Sequence, residues 1–346
     1  MMEIQENIQL APYTTLQVGG NATYFAEPAN DDDILEALLW ARERSLPVFV
    51  LGGGSNLLVS DAGFKGLVLH MAIGSIDHSE DGGNRIYSVG AGVEWEAFVA
   101  RAVEDDCAGV ECLSGIPGSV GGTPVQNVGA YGQDVSETIV RVFAIDTKTL
   151  ERVEFDRKAC CFSYRQSRFN GSDLARYILT RVDYALQPGG TPKIAYVELK
   201  RHFEDATSSP TLSQVRQAVL AIRRAKGMLL DEDDADSCSA GSFFKNPVVS
   251  RAEYDRIVAA SAQPVPHFDA GEGLVKLAAA WLIERAGISK GFAIGPVAIS
   301  SKHTLALTNR GGAKAADILR LKDFVQRRVH ERFGIDLRPE PVMLGF

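Results

Sequence analysis

Three short stretches of this 346-residue chain concentrate groups able to move protons or hold anions. Ala240-Gly-Ser-Phe-Phe-Lys-Asn-Pro247 sets a hydroxyl, a lysine and an amide beside two aromatics and stops at a proline. It reads either as a strand closing in a turn or as a site with several polar functions within reach of one ligand. The acidic run Asp231–Asp236 precedes it as a flexible approach. Tyr164-Arg165 offers a guanidinium that can hold a carboxylate through two parallel hydrogen bonds, although a surface ion pair is the commoner use of arginine. Glu340 lies between Pro339 and Pro341, which fix the backbone around a carboxylate, whether that carboxylate is an exposed edge residue or part of a site.

A second signal is bare backbone. Gly109–Gly132 holds seven glycines in twenty-four residues. Within it, Ile116-Pro-Gly-Ser-Val-Gly-Gly122 can form a nest of amides that converge on an anion. Leu51-Gly-Gly-Gly-Ser-Asn-Leu57 follows the apolar run Leu46–Leu51, where a strand would end. Either run alone reads equally well as a tight turn. Together they suggest an elongated phosphorylated ligand. A triphosphate P-loop is excluded, because Gly54-Ser55-Asn56 lacks the lysine such a loop needs. Gly90-Ala-Gly92 begins a dinucleotide fingerprint, but Trp95 stands where its third glycine should be.

Length implies two or three packed units. A composition of 45% hydrophobic and 23% charged residues fits a globular enzyme and leaves no large disordered tract. A net charge of −8 argues against nucleic acid or an anionic membrane as partner. The acidic N-terminus has no apolar signal segment, and no stretch of about 18 apolar residues offers a membrane span. A cytoplasmic location is therefore expected. Five cysteines without a Cys-x-x-Cys pair fit a reducing compartment, and six scattered histidines suggest no metal site.

The elements that must position these residues follow from periodicity. Asn30 or Asp31 caps a helix carrying Ile34, Leu35, Leu38 and Leu39, and Leu46–Leu51 is a buried strand. Arg85–Val89 reads as a strand and Glu94–Glu104 as a helix. Ile139–Asp146 and Leu150–Phe155 form a hairpin around Thr147-Lys148, and Arg176–Leu186 is a further strand. Breaks at Gln187–Pro192 and Thr207–Pro210 introduce a last unit with helices at Leu212–Lys226, at Leu274–Ala286 closed by Gly287, and at Lys314–Phe333 closed by Gly334. Ile335–Leu344 is expected as the final strand.

The ordered set Thr14-Thr-Leu-x-x-Gly-Gly20, Leu51-Gly-x-Gly-Ser-Asn56, Ile116-Pro-Gly-x-Val-Gly121, Gln126-Asn-x-Gly-Ala-Tyr-Gly132, Tyr164-Arg165, Gly241-Ser-Phe-Phe-Lys-Asn-Pro247 and Arg338-Pro-Glu340 resembles the UDP-N-acetylenolpyruvoylglucosamine reductase (MurB) family over nearly the whole length. Within that family it is similar to the longer class with a tyrosine-bearing flap. The resemblance implies an α+β fold, with a two-subdomain FAD-binding region of the vanillyl-alcohol-oxidase (PCMH) type and a C-terminal α/β substrate domain. The expected boundaries are 1–72, 73–206 and 207–346. It also implies reduction of an enolpyruvyl double bond by NADPH through non-covalent FAD, in a monomer whose partners are small molecules.

Carried over position by position, the resemblance makes Ser242 the proton donor and Arg165 with Glu340 the pair that stabilises the enolic intermediate. Such a reduction leaves a carbanion beside a carboxylate, so the site must stabilise that charge and deliver one proton. Glu340 would repel it unless burial keeps its carboxyl neutral. The cofactor-binding set is Gly52, Gly53, Gly54, Ser55, Asn56, Ile116, Pro117, Gly118, Ser119, Gly121, Gly122 and Asn127. The substrate-binding set is Tyr164, Tyr196, Arg223, Lys226, Lys245, Asn246 and Lys276, and His267 or Phe268 replaces the tyrosine that the family pattern expects there. The acidic loop before Ser242 is longer than that pattern. Two other readings remain, a different flavin oxidoreductase of the same fold acting on a small alcohol or hydroxy acid, and a non-catalytic flavin or nucleotide-sugar binder. The first lacks a use for Gly241–Pro247, and the second has no need of a proton donor.

Overall fold

The computed structural model describes residues 2–346. They form two compact units. Unit 1 takes the chain up to Ile8, Ala22–Gly54 and Phe64–Leu229, and unit 2 takes Gln9–Asn21, Ser55–Gly63 and Leu230–Phe346.

Unit 1 contains a four-stranded sheet in the order Gln5–Gln9, Asn21–Ala26, Phe64–His70, Val48–Leu51. The last three strands run parallel. Leu67, Val68 and Leu69 are fully buried, as an unbroken apolar run in a parallel strand requires. The helix Asp31–Glu43 crosses over this sheet. Asn30 caps it by accepting from the Asp33 amide at 3.0 Å, three aspartates occupy its first turn and Arg42 its last, and Ile34, Ala37, Leu38 and Ala41 face the sheet.

A six-stranded antiparallel sheet forms the rest of the core of unit 1. Its main path is Arg152–Asp156, Ile139–Asp146, Tyr177–Pro188, Asn84–Gly90 and Ile76–Asp81, with Cys107–Ala108 attached to the long strand. Helix Trp95–Glu104 presses Trp95 and Phe98 onto Tyr87 and Tyr184, with ring centroids 4.9–5.8 Å apart. The polar tips in this aromatic cluster have partners. Trp95 Nε1 donates to the Leu113 carbonyl at 3.0 Å, and the Tyr184 hydroxyl shares a 2.7 Å hydrogen bond with Thr123. The helix Leu212–Ala225, expected to open the C-terminal domain, lies in unit 1. Its apolar face, Val215, Ala218 and Val219, is buried with Cys112, Tyr131 and Leu199.

Unit 2 is built on the sheet Ser239–Ser242, Ala306–Asn309, Val297–Ile299, Ala293–Ile294, covered by helix Ala315–Phe333, which buries Ile318, Leu321, Val325 and Val329 and closes at Gly334. Leu274–Ala286 is not one helix. Leu274–Leu277 is a strand between Val248–Ser250 and His267–Asp269, and the helix occupies only Ala279–Arg285. Val275 and Leu277 point inward with period two, and the Asn246 side chain accepts from the Ala279 amide at 2.9 Å, which starts the helix there. The final strand is likewise shorter than expected. Val342–Leu344 is the only part that forms a strand, parallel to Leu57–Val59, because Pro339 and Pro341 limit the segment before it to an isolated bridge between Pro339 and Phe244.

Candidate functional site

In unit 1 the two glycine runs meet backbone to backbone. A Cβ on Gly53 would fall 2.7 Å from the Gly118 Cα, so a side chain is excluded there, while one on Gly52 would fall 2.5 Å from Ser119 Oγ, which would have to rotate. The nest expected over the whole of Ile116–Gly122 is only partly available. Val120, Gly121 and Gly122 donate their amides to the carbonyls of Val93, Ala91 and Ser119 at 2.9–3.0 Å, holding the loop onto the sheet. Gly121 has a packing role as well, since a Cβ there would lie 2.7 Å from that of Ala91. Gly122 has open space around its missing Cβ. Gly54 and Ser119 are buried, so the backbone open to a ligand is concentrated in Gly52, Gly53 and Ile116–Gly118, together with the exposed Gly122. Chain continuity carries Ser55 and Asn56 into unit 2, where Asn56 Nδ2 donates to the Glu340 carbonyl at 3.4 Å.

Arg165 sits in a loop with left-handed backbone, φ 55°, and its guanidinium donates to the Gly129 carbonyl at 2.6 Å while lying 5.5 Å from the Tyr164 ring centroid. Asn127 braces the same loop. Its side chain donates to the Ser163 carbonyl at 2.9 Å and accepts from the Ser136 amide. Tyr164 is half exposed beside this anchored guanidinium.

Tyr196, Arg223 and Lys226 gather around Tyr131, also within unit 1. Tyr196 meets the Tyr131 ring edge-on with centroids 5.4 Å apart, and Lys226 lies 5.8 Å over that ring while bonded to Glu198 at 2.6 Å. Arg223, placed with the substrate-binding cations, is engaged by the protein itself. It is buried, and it donates to the carbonyls of Gly115 and Met228 at 3.0 and 2.8 Å, tying the second glycine region to the helix end. Burial lowers its pKa, and Tyr131 and Glu96 partly oppose that shift.

In unit 2, Ser242 ends the edge strand of its sheet, opposite Ala306. The next residues pair with the segment carrying Glu340: the Glu340 amide donates to the Phe243 carbonyl at 2.8 Å, and the Lys245 amide to the Arg338 carbonyl at 3.0 Å. Ser242 and Glu340 thus stand on adjoining, hydrogen-bonded backbone, floored by the buried rings of Phe243 and Phe244. Asn246 is engaged at the helix start, and Lys276 lies 5.5 Å over the exposed Phe268 ring on neighbouring strands.

His303 is the residue that sequence reasoning missed. Its Nε2 is 3.1 Å from Ser242 Oγ. The turn that carries it begins at Ser300, whose hydroxyl accepts from the His303 amide, and ends where the Ala306 amide donates to the His303 carbonyl. Nothing in its own spacing reveals it, because a turn and a strand register bring it to Ser242 across sixty-one positions. The acidic loop has a structural use here. Asp236, buried, accepts from the Ser301 amide and hydroxyl at 2.9 and 2.6 Å and pairs with Arg310 at 2.6 Å, while Asp234 pairs with Lys302 at 2.8 Å. Burial alone would raise the Asp236 carboxyl, but donors from Ser301, Ser300 and Arg310 more than reverse this and hold it below the usual carboxylate range.

An FAD binding domain matches residues 22–149, and the C-terminal domain of UDP-N-acetylenolpyruvoylglucosamine reductase matches 233–344. The UDP-N-acetylenolpyruvoylglucosamine reductases of Thermobifida fusca and Streptomyces coelicolor are each 45% identical to the chain, covering 98% and 97% of it and 97% and 89% of themselves. The crystal structure of the Thermus caldophilus enzyme superposes with a TM-score of 0.66 at 24% identity, covering 99% of this chain and all of that one, which supports the fold. The side-chain-free backbone of Gly52, Gly53 and Gly118 fits an extended dinucleotide such as FAD. The chain belongs to the UDP-N-acetylenolpyruvoylglucosamine reductase family, with its α+β FAD-binding fold and C-terminal domain, and is a flavin-dependent oxidoreductase.

Proposed function

We propose that the protein reduces the enolpyruvyl group of UDP-N-acetylglucosamine enolpyruvate to give UDP-N-acetylmuramate, with NADPH as electron source, in the synthesis of peptidoglycan precursors. The observation that carries this reading is the pairing of the Phe243–Lys245 backbone with Arg338–Glu340, which joins the segments that carry Ser242 and Glu340. Bound FAD supplies the hydride chemistry, accepting two electrons from NADPH and delivering them to the substrate alkene.

The chain's own residues divide the remaining work. Backbone amides of Gly52–Ser55, Ile116, Gly118 and Ser119 hold the dinucleotide diphosphate, with Pro117 fixing the turn between them and Asn56 and Asn127 bracing the loops; Gly121 and Gly122 shape the second run more than they touch the cofactor. FAD binding is assigned to 1–72 and 73–206 and substrate binding to 207–346, of which the helix Leu212–Ala225 packs within unit 1. Arg165, its guanidinium oriented by the Gly129 carbonyl, supplies fixed positive charge to the substrate carboxylate as electron density builds there. Ser242 donates a proton to the carbon next to that carboxylate. Serine is a weak acid towards water but sufficient towards so basic a carbon. Glu340, protonated, donates a hydrogen bond to the developing enolate. Tyr164, Tyr196, Lys226, Lys245, Asn246 and Lys276 bind the sugar nucleotide, and Arg223 acts from beneath as a brace.

Anaerobic mixing tests this directly. NADPH should bleach the flavin band, and enolpyruvyl-UDP-N-acetylglucosamine should restore it. Bleaching by a small hydroxy acid, with no response to NADPH, would favour the alternative oxidoreductase.

A further inference from the structure

Ser242 has a problem that the reduction creates. Once its O–H bond breaks and the proton joins the substrate carbon, whose own electron pair forms the new C–H bond, the side chain is left as an alkoxide. That anion is far more basic than water at neutral pH and has to be reprotonated before another turnover. His303 Nε2, at 3.1 Å, is within hydrogen-bonding reach of Oγ.

We propose that His303 is the proton reservoir of Ser242: as an imidazolium it donates its Nε2 hydrogen bond to Oγ, leaves the hydroxyl proton aimed at the substrate, and reloads the oxygen after transfer. The assignment rests on the reduction proposed above. The balance closes with one solvent proton. Ser242 loses H+ to carbon, His303 loses H+ to the alkoxide as its N–H bond breaks and an O–H bond forms, and the neutral imidazole takes H+ from water. No electrons move on this side of the reaction. A neutral imidazole at the same place would do the opposite, drawing the hydroxyl proton towards itself and away from the substrate.

Three further observations support a relay over simple packing. His303 is only partly buried, so solvent can recharge it. Its turn is fastened at both ends, by the Ser300 hydroxyl to the His303 amide at 3.1 Å and by the His303 carbonyl to the Ala306 amide at 3.0 Å. The adjoining residues Ser301 and Lys302 are clamped by Asp236 and Asp234, which gives the extended acidic loop a purpose: it fixes the base of the turn that carries His303. His303 acts through Ser242 and is a positioning and reloading residue.

The test uses the flavin-loaded enzyme and two variants, His303→Gln and His303→Ala. Both should be reduced by NADPH within about twofold of the wild-type rate. Under multiple turnover with excess NADPH, where Ser242 must be recharged in every cycle, reoxidation by the enolpyruvyl sugar nucleotide should slow roughly 100-fold in each, the size of a general acid–base contribution. Added imidazole should restore at least about tenfold of that loss in His303→Ala, where it can enter the vacated space, and much less in His303→Gln. Reoxidation of His303→Gln at the wild-type rate would overturn the proposal. So would a slowed His303→Ala that retains the wild-type flavin spectrum yet ignores imidazole, because added imidazolium can replace a proton donor but not a purely structural histidine. Failure of the wild type to reoxidise with the sugar nucleotide would overturn the reduction itself, and His303's part with it.

Discussion

Unit 1 brings Gly52 and Gly53 against Ser119 and Gly118 so closely that no Cβ fits at Gly53 and one at Gly52 would push Ser119 aside, whereas unit 2 crowds a hydroxyl, an imidazole and a carboxylate-bearing segment around the end of one edge strand. The first arrangement suits binding. Bare amides grip an anion without adding net charge, and their geometry is fixed by the sheet beneath. The second suits reaction, because proton transfer needs side chains whose positions are held from several directions, and Ser242 is held by strand register, by the pairing of its neighbours with Arg338–Glu340 and by contact with His303.

That contrast predicts different failures in the two units. The largest effect should come from Gly53→Val, which drives a branched side chain into the Gly118 backbone. Overpacking there costs about 1–3 kcal/mol and displaces the loops, so the folded variant should purify without flavin colour. Gly122→Ala, with room for its methyl, should stay yellow, as read from the visible spectrum. Should both lose colour, the flavin would have to lie against Gly122 as well.

Glu340 sharpens the chemical side. If its carboxyl works as a neutral donor, Glu340→Gln keeps most of the reoxidation rate, while Glu340→Ala loses roughly 100- to 1000-fold, the usual effect of removing one donor from a developing anion. Equal, near-complete loss in both variants, measured in single-turnover mixing, would contradict a neutral carboxyl.

The smallest effect concerns stability. Asp236 has its carboxyl depressed in the folded state, so its contribution is complete above the unfolded carboxyl value of about 3.9 and is lost as pH falls through the lower folded value. Asp236→Asn should therefore be about 1–3 kcal/mol less stable near pH 7, and the gap between the two melting curves should narrow as pH is taken from 7 towards 3. A gap that widens in acid would reverse the sign.

Local sequence made the binding half legible. Glycine runs after apolar strands, the Asn30 cap with its acidic first turn, and the Gly334 helix end all read directly, because backbone freedom and periodicity are local properties. The reacting half was legible only through motif order. Ser242 and Glu340 are ninety-eight positions apart, and a hydrogen-bond ladder that no periodicity reveals joins their segments. His303 was invisible for the same reason. Leu274–Ala286 misled because its apolar spacing suits a helix throughout, while the tertiary partners on both sides of Leu274–Leu277 favour a strand. The burial of Arg223 and its bonds to two carbonyls were not legible either, because a cation at a helix end gives no local sign of what it packs against.

The division between a binding unit and a reacting unit is tested most directly by Ser242→Ala, with its two half-reactions timed separately. Reduction of the flavin by NADPH should proceed at close to the wild-type rate, and reoxidation by enolpyruvyl-UDP-N-acetylglucosamine should fall by about 1000-fold or more. A variant slowed in the first half, or unhindered in the second, would remove Ser242 from the proton path and leave unit 2 without its reacting group.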